Sequence, residues 1–189
     1  MLSLNEPATL PSSTSCHVNH PPSTKRLEFR CWTSDDQALA LPLWGDPQVT
    51  ALIGGPFTAE AITQRLSAEM SYMREHRVQY WPIFLLENGE HAGCAGLRPY
   101  DVGQHVYELG VHLRPMFWGQ GLAVEAGKAV IDYGFDSLNA SALFAGHHPR
   151  NEMSRKFLLK LGFTYTHDEL YPPTGLHHPS YTLPRHPSS

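Results

Sequence analysis

The sequence predicts an α/β domain of the α+β kind. Its central sheet is mixed, with antiparallel strands in the N-terminal part and a β-α-β step in the C-terminal half. Three observations predict it. Two apolar runs in "YWPIFLLENGEHAGCAGLRPY" flank Asn88-Gly89, the signal for a hairpin with a type I′ turn. "HVYELGVHL" (His105 to Leu113) reads as a strand and leads through Gly119-Gln120-Gly121 into a helix from Leu122 to about Leu138. "SALFAGH" and "RNEMSRKFLLKLGF" then repeat the change from strand to helix.

The other elements follow in chain order. Residues 1–25 are rich in Pro, Ser and Thr, and such a stretch buries too little apolar surface to offset its ordering entropy. They are expected to form a disordered tail, as are residues 184–189, which leaves one domain over 26–183. "RLEFRCW" alternates as a first strand. Thr33 or Ser34 caps the helix after it, with Asp35 and Asp36 in the first turn. "GGPF" breaks the chain, and Thr58 caps a second helix whose apolar face carries Ile62, Leu66, Met70 and Met73. Asn151 stands at the start of the last helix and Gly162 past its end. "FTYTHDEL" and "PSYTL" close the sheet.

Composition narrows the function classes. With 189 residues, 41% hydrophobic and 17% charged, the chain can build one well-filled core. A net charge of -4 gives no basic footprint for nucleic acid. Cys16, Cys31 and Cys94 make an odd set without a CxxC pair, which points to a reducing cytoplasm rather than a disulfide framework or zinc ribbon. Lys25 is the first basic residue and no long apolar run precedes it, so no secretory signal is expected. "IFLL" is too short to span a membrane.

The glycine turn admits several ligands. A dinucleotide site needs a small residue where Val124 stands, and an acidic strand end where the chain is still helical. A P-loop needs Gly-Lys-Ser/Thr, which is absent. The turn can also simply start a helix. The remaining reading is an acyl-CoA site. Backbone N–H groups from Trp118 through Gly119, Gln120, Gly121 and Leu122 to Ala123 can form a nest for a pyrophosphate at a helix N-terminus. Pro115 ends the strand and leaves an edge, carrying Val111 and Leu113, to which the amides of a pantetheine arm can bond.

"YELGVHLRPMFWGQGLAVEAGKAVIDYGF" followed by "NEMSRKFLLKLGF" resembles the GNAT superfamily of acetyl-CoA-dependent N-acetyltransferases, most closely its RimJ/RimL-like branch. The resemblance covers residues 26–183. It implies the GNAT fold, acetyl-CoA as co-substrate, and transfer to a primary amine of a protein N-terminus or a small molecule. The sequence departs from the superfamily pattern twice. Met116 stands where the pyrophosphate motif prefers Gln or Arg, and Leu158 stands where a general-acid Tyr is common.

The chemistry needs a base, an oxyanion donor and a proton for the leaving thiolate. Glu108 lies on the strand before the turn, where GNAT enzymes often carry their base. It shares a face with Val106 and Gly110, and burial would raise its pKa. Its alternative is a structural pairing with Arg98 or Arg114. A backbone N–H near Leu109 to Val111 suits the oxyanion. Ser154 is placed to bond or protonate the sulfur, Asn151 to cap its helix or contact the cofactor, and Phe157 to cover the pantetheine or fill the core. Asp168 or Glu169 can hold a substrate ammonium, and Trp44, Trp81, Tyr100, Tyr171 and Tyr181 are candidate cleft aromatics. His147-His148 and His177-His178 lack metal-ligand spacing, because neighbours on a strand point apart, so no metal is expected. No Cys or Ser sits in a nucleophile motif, which implies direct transfer in a ternary complex. A non-catalytic acyl-CoA sensor is the other class left open. Monomer and homodimer are both compatible, and neither nucleic acid nor membrane is an expected partner.

Overall fold

The computed structural model describes residues 20–185. Seven strands form one sheet: β1 (Leu27–Phe29), β2 (Tyr80–Leu85), β3 (His91–Asp101), β4 (Val106–Leu113), β5 (Ala142–Gly146), β6 (Thr164–Tyr171) and β7 (Leu176–Pro184). Their spatial order is β1-β2-β3-β4-β5-β7-β6, and only the β4–β5 pair is parallel. The antiparallel front half and the helical crossover behind it agree with the expected α/β architecture.

Strand alternation sorts side chains into two layers. On one face, Leu97, Leu109 and Leu113 pack beneath α4 (Leu122–Asp136), which contributes Leu122, Ala126, Val130 and Tyr133. On the other face, Tyr80 and Cys94 pack against α1 (Gln37–Trp44) and α3 (Ala59–His76) through Leu43, Trp44, Ile62 and Leu66. The short α2 (Pro47–Thr50) links α1 to α3, and α5 (Glu152–Lys160) lies beside α4. Thr58 caps α3 by accepting the Ala61 N–H at 3.2 Å. Thr33 forms a capping box with Asp36, but around a 3-10 turn that precedes α1.

Four details depart from the sequence reading. Gly89 has a φ of 72°, whereas Asn88 is not among the described residues with positive φ, so the hairpin turn is not type I′. The Asn88 side chain instead accepts the Glu90 N–H at 2.9 Å, and this local bond holds a longer connection. Residues 20–25, assigned by composition to the tail, include Thr24, whose hydroxyl donates to Glu125 at 2.6 Å. At the other end β7 runs through Pro184, and the Arg185 N–H donates to the Ser141 carbonyl at 3.0 Å. The rest of both expected tails lies outside the described residues. The apolar stripe of α3 also holds a fully buried carboxylate, Glu69, between Leu66 and the half-buried Met70 and Met73.

Glu69 joins α3 to the sheet. It accepts the Tyr80 N–H at 2.8 Å and forms an ion pair with Arg98 of β3. Burial works against the Arg98 charge, but Glu69 more than offsets it and raises the guanidinium pKa. Glu69→Ala strands a buried cation and a buried N–H. It should cost about 3–5 kcal/mol of unfolding free energy in urea titrations.

Candidate active site

The site begins where β4 and β5 part. They pair only from Val106 to Glu108, opposite Ala142 to Phe144, although β4 continues to Leu113. On its other edge β4 stays paired with β3 throughout. The Arg114 N–H donates to the Ala92 carbonyl at 2.9 Å, which fixes the phase of that ladder. By alternation, Leu109, Val111 and Leu113 turn their backbone groups toward the gap. The Trp118 indole N–H occupies the Leu113 carbonyl at 2.8 Å. The Val111 amide and carbonyl and the Leu113 N–H therefore face the opening.

The glycine turn lies at the end of this edge. Gly119 and Gly121 have φ of 73° and 78°, a region that side-chain-bearing residues enter at a cost. Trp118 spends its N–H on the Pro115 carbonyl at 3.1 Å. The N–H groups of Gly119, Gln120, Gly121, Leu122, Ala123 and Val124 have no hydrogen-bond acceptor among the described residues. Leu122 anchors the helix start in the core while Gly119 and Gln120 stay exposed. The result is a row of unengaged donors at a helix N-terminus, a ready anion site.

An unforeseen clamp steadies this turn. Arg26 donates through Nη1 to the Gln120 carbonyl at 3.0 Å and through Nε to Glu125 at 2.7 Å. Burial opposes the Glu125 charge, but bonds from Thr24 and Arg26 outweigh it and hold the carboxyl pKa below its ordinary value.

On the α1–α3 face of β4 lie Glu108, Gly110 and His112. Gly110 is required here, since a Cβ would meet the Tyr80 hydroxyl at 2.4 Å. Glu108 makes no ion pair with Arg98, its cross-strand neighbour, which is committed to Glu69. Arg114 instead contacts Glu90 and the His91 carbonyl. Burial raises the Glu108 pKa, and the nearby Arg98 and Arg65 charges only partly oppose the shift.

The helix α5 sits beyond the gap. The Asn151 side chain caps it, its Oδ1 accepting the Ser154 N–H at 3.0 Å. Ser154 and Phe157 are partly buried, and Phe157 packs on α4 at Gly127. Leu158 is buried in the main core, so that position supplies no acid.

A profile described as an acetyltransferase (GNAT) domain matches residues 26–164. The chain belongs to the GNAT acetyltransferases. This GNAT enzyme is 32% identical over 142 residues to the uncharacterised N-acetyltransferase p20 of Bacillus licheniformis, covering 74% of this chain and 80% of p20. A shorter stretch of 82 residues is 34% identical to spermidine N(1)-acetyltransferase of Escherichia coli K12, covering 43% of this chain and 44% of that protein. Among solved structures, an Agrobacterium tumefaciens acetyltransferase superposes with a TM-score of 0.75 at 22% identity, covering 97% of this chain and 99% of that one. RimL, a ribosomal L7/L12 α-N-protein acetyltransferase solved with coenzyme A, gives 0.74 at 16% identity over 86% and 96% of the two chains. Both structural likenesses concern the fold.

Several other candidates in this GNAT domain have partners within the fold. Trp81 packs on Tyr133 in the α4-side core, and Tyr181 stacks on His147. Tyr100 stacks on Phe144 at 3.9 Å and donates to Glu169 at 3.1 Å, while Asp168 accepts from Tyr165. His147 and His148 are both buried, because they follow β5 in a turn where strand alternation no longer applies. Among the described residues no group of three or more His, Cys, Asp or Glu is placed to hold a metal ion. No described helix is long and apolar enough to cross a membrane.

His112 was not singled out in the sequence, yet it lines the face of Glu108. Its Nδ1 accepts from the Trp44 indole at 3.3 Å and lies 3.8 Å from the Cys94 sulfur. This is no nucleophilic dyad. Burial keeps His112 neutral and pushes the Cys94 thiol up to about 12. Only the cross-strand register, Cys94 opposite His112, could have revealed the pair.

Gly119 has open space around its missing Cβ, so Gly119→Val meets no clash in the fold. Strain of about 1–2 kcal/mol at positive φ should displace the turn and weaken acetyl-CoA binding about tenfold in calorimetry.

Proposed function

We propose that this enzyme transfers an acetyl group from acetyl-CoA directly to a primary amine, with Glu108 as general base. The observation carrying this reading is the coincidence of three features on β4: a freed backbone edge, an anion-ready turn at its end, and a carboxylate of raised pKa on the opposite face. The pantetheine lies along Val111 and Leu113, and the pyrophosphate rests on the N–H groups of Gly119 to Ala123, the Trp118 N–H expected among them being taken by the Pro115 carbonyl. Asn151 and Phe157 flank the arm from α5.

The amine nitrogen bonds to the thioester carbonyl carbon. The Val111 N–H stabilises the resulting oxyanion. The nitrogen loses its proton to the Glu108 carboxylate, the C–S bond breaks, and the thiolate takes a proton from the Ser154 hydroxyl, which water replenishes. A free α-amino group titrates near ~8 and a lysine near ~10.4, so a base of raised pKa suits either acceptor. The nearby spermidine acetyltransferase and RimL support amines of both small-molecule and protein N-terminal kinds, and RimL supports a RimJ/RimL-like placement. The buried, protonated Cys94 thiol favours direct transfer over an acyl-cysteine intermediate.

Glu108→Gln should lower kcat by about a hundredfold or more at neutral pH and remove the acidic limb of the pH–rate profile. Wild-type activity should fall as pH drops through the raised Glu108 pKa. The same shift has a stability signature. A carboxyl with a folded pKa above its unfolded value favours folding while protonated, and that contribution is lost as pH rises through the folded pKa. Glu108→Gln should therefore raise Tm at pH 8 and leave it near wild type at pH 4. Unchanged kcat at neutral pH would refute the base assignment.

A further inference from the structure

Arg65 forms no ion pair among the described residues. It lies on α3, partly buried, with its guanidinium 4.6 Å from the Trp44 ring centroid and 5.9 Å from that of Phe57. Its Nε is sealed from solvent and has no hydrogen-bond partner among the described residues. The ion pairs among the described residues use other arginines. Its natural helical partner one turn on is Glu69, but that carboxylate is spent on Arg98 and the Tyr80 N–H.

Arg65 also belongs to the reacting face. Its stacking partner Trp44 belongs to the α1–α3 side of β4, and its charge bears on Glu108, His112 and Tyr171. Trp44, on which it stacks, donates to His112. Between α2 and α3, Gly54 lies against Pro173 of the β6–β7 turn and Phe57 lies beside Arg65. Burial and the like charge of Arg98 work against the Arg65 cation and outweigh the attraction of Glu69. A desolvated guanidinium left with free donors calls for an anion, and a planar carboxylate matches its fork.

We infer that the acceptor is a small amino acid, its amine directed to Glu108 and its carboxylate held by Arg65 on the Trp44 ring. This rests on the acetyl-transfer reading above and narrows its acceptor class. It sets the enzyme apart from polyamine acetylation, because a polycation would meet Arg65 as a like charge.

The test compares α-, β- and γ-amino acids with their amides and methyl esters, and with spermidine, by thiol release from acetyl-CoA. Wild type should favour the acids by about tenfold or more in kcat/KM, as a charge-assisted contact implies. Arg65→Gln should bring the acid-to-amide ratio close to one, mainly through the KM for the acid, with the KM for acetyl-CoA unchanged. Arg65→Lys should restore part of the ratio. A role confined to stacking on Trp44 would alter stability but not that ratio. Equal use of acids and amides, preference for spermidine, or a ratio unchanged in Arg65→Gln would overturn the inference while leaving acetyl transfer intact. Thermal shift with N-acetyl amino acids gives a readout independent of turnover. Stabilisation of wild type but not Arg65→Gln, without turnover of any amine, would uphold the carboxylate site and overturn the catalytic reading.

Discussion

The parting of β4 from β5 after Glu108 is the constraint on which the site depends. A strand inside a sheet normally spends both rows of backbone groups on its neighbours. Here one row is kept by β3 and the other is surrendered beyond the third pair. The open row must then be satisfied by water or by a ligand with amides of its own. The core tolerates the gap because Leu109 and Leu113 remain packed beneath α4, and because the Trp118 indole closes the last carbonyl. The glycine turn follows from the same geometry, since β4 ends free of β5 and delivers the chain straight to the start of α4.

Charge is arranged around this opening with a clear division of work. Glu69 and Arg98 neutralise each other and tie α3 to β3. That pairing withholds Arg98 from Glu108, its register partner, and withholds Glu69 from Arg65, its helical neighbour. One buried ion pair thus leaves a carboxylate and a guanidinium uncommitted on the face of β4. Neither state is favourable for folding alone, and groups held at such cost tend to mark functional sites.

The departures from the common GNAT pattern also find physical settings. Met116 is exposed and gives the turn no cation, but Arg26 reaches the Gln120 carbonyl from the N-terminal segment. The turn is therefore braced from outside the motif that forms it. Leu158 is buried beneath α5, so its replacement of a tyrosine adds to the core and removes an acid.

The sequence by itself determined the local elements, because their signals are short-range: Thr58 and Asn151 as caps, the glycines with positive φ, and the alternation that places Glu108 with Gly110. It also carried the family, since the two helical motifs are contiguous. Tertiary structure decided what depends on distant partners. Glu69 lies inside an apparently apolar stripe, and nothing local tells that Arg98 and the Tyr80 N–H await it. The same is true of His112 beside Cys94, of Arg26 on the far turn, and of Arg65, which has no ion pair among the described residues. Periodicity reports which face a side chain takes, but the charge it meets there is set by register and packing between elements far apart in the chain.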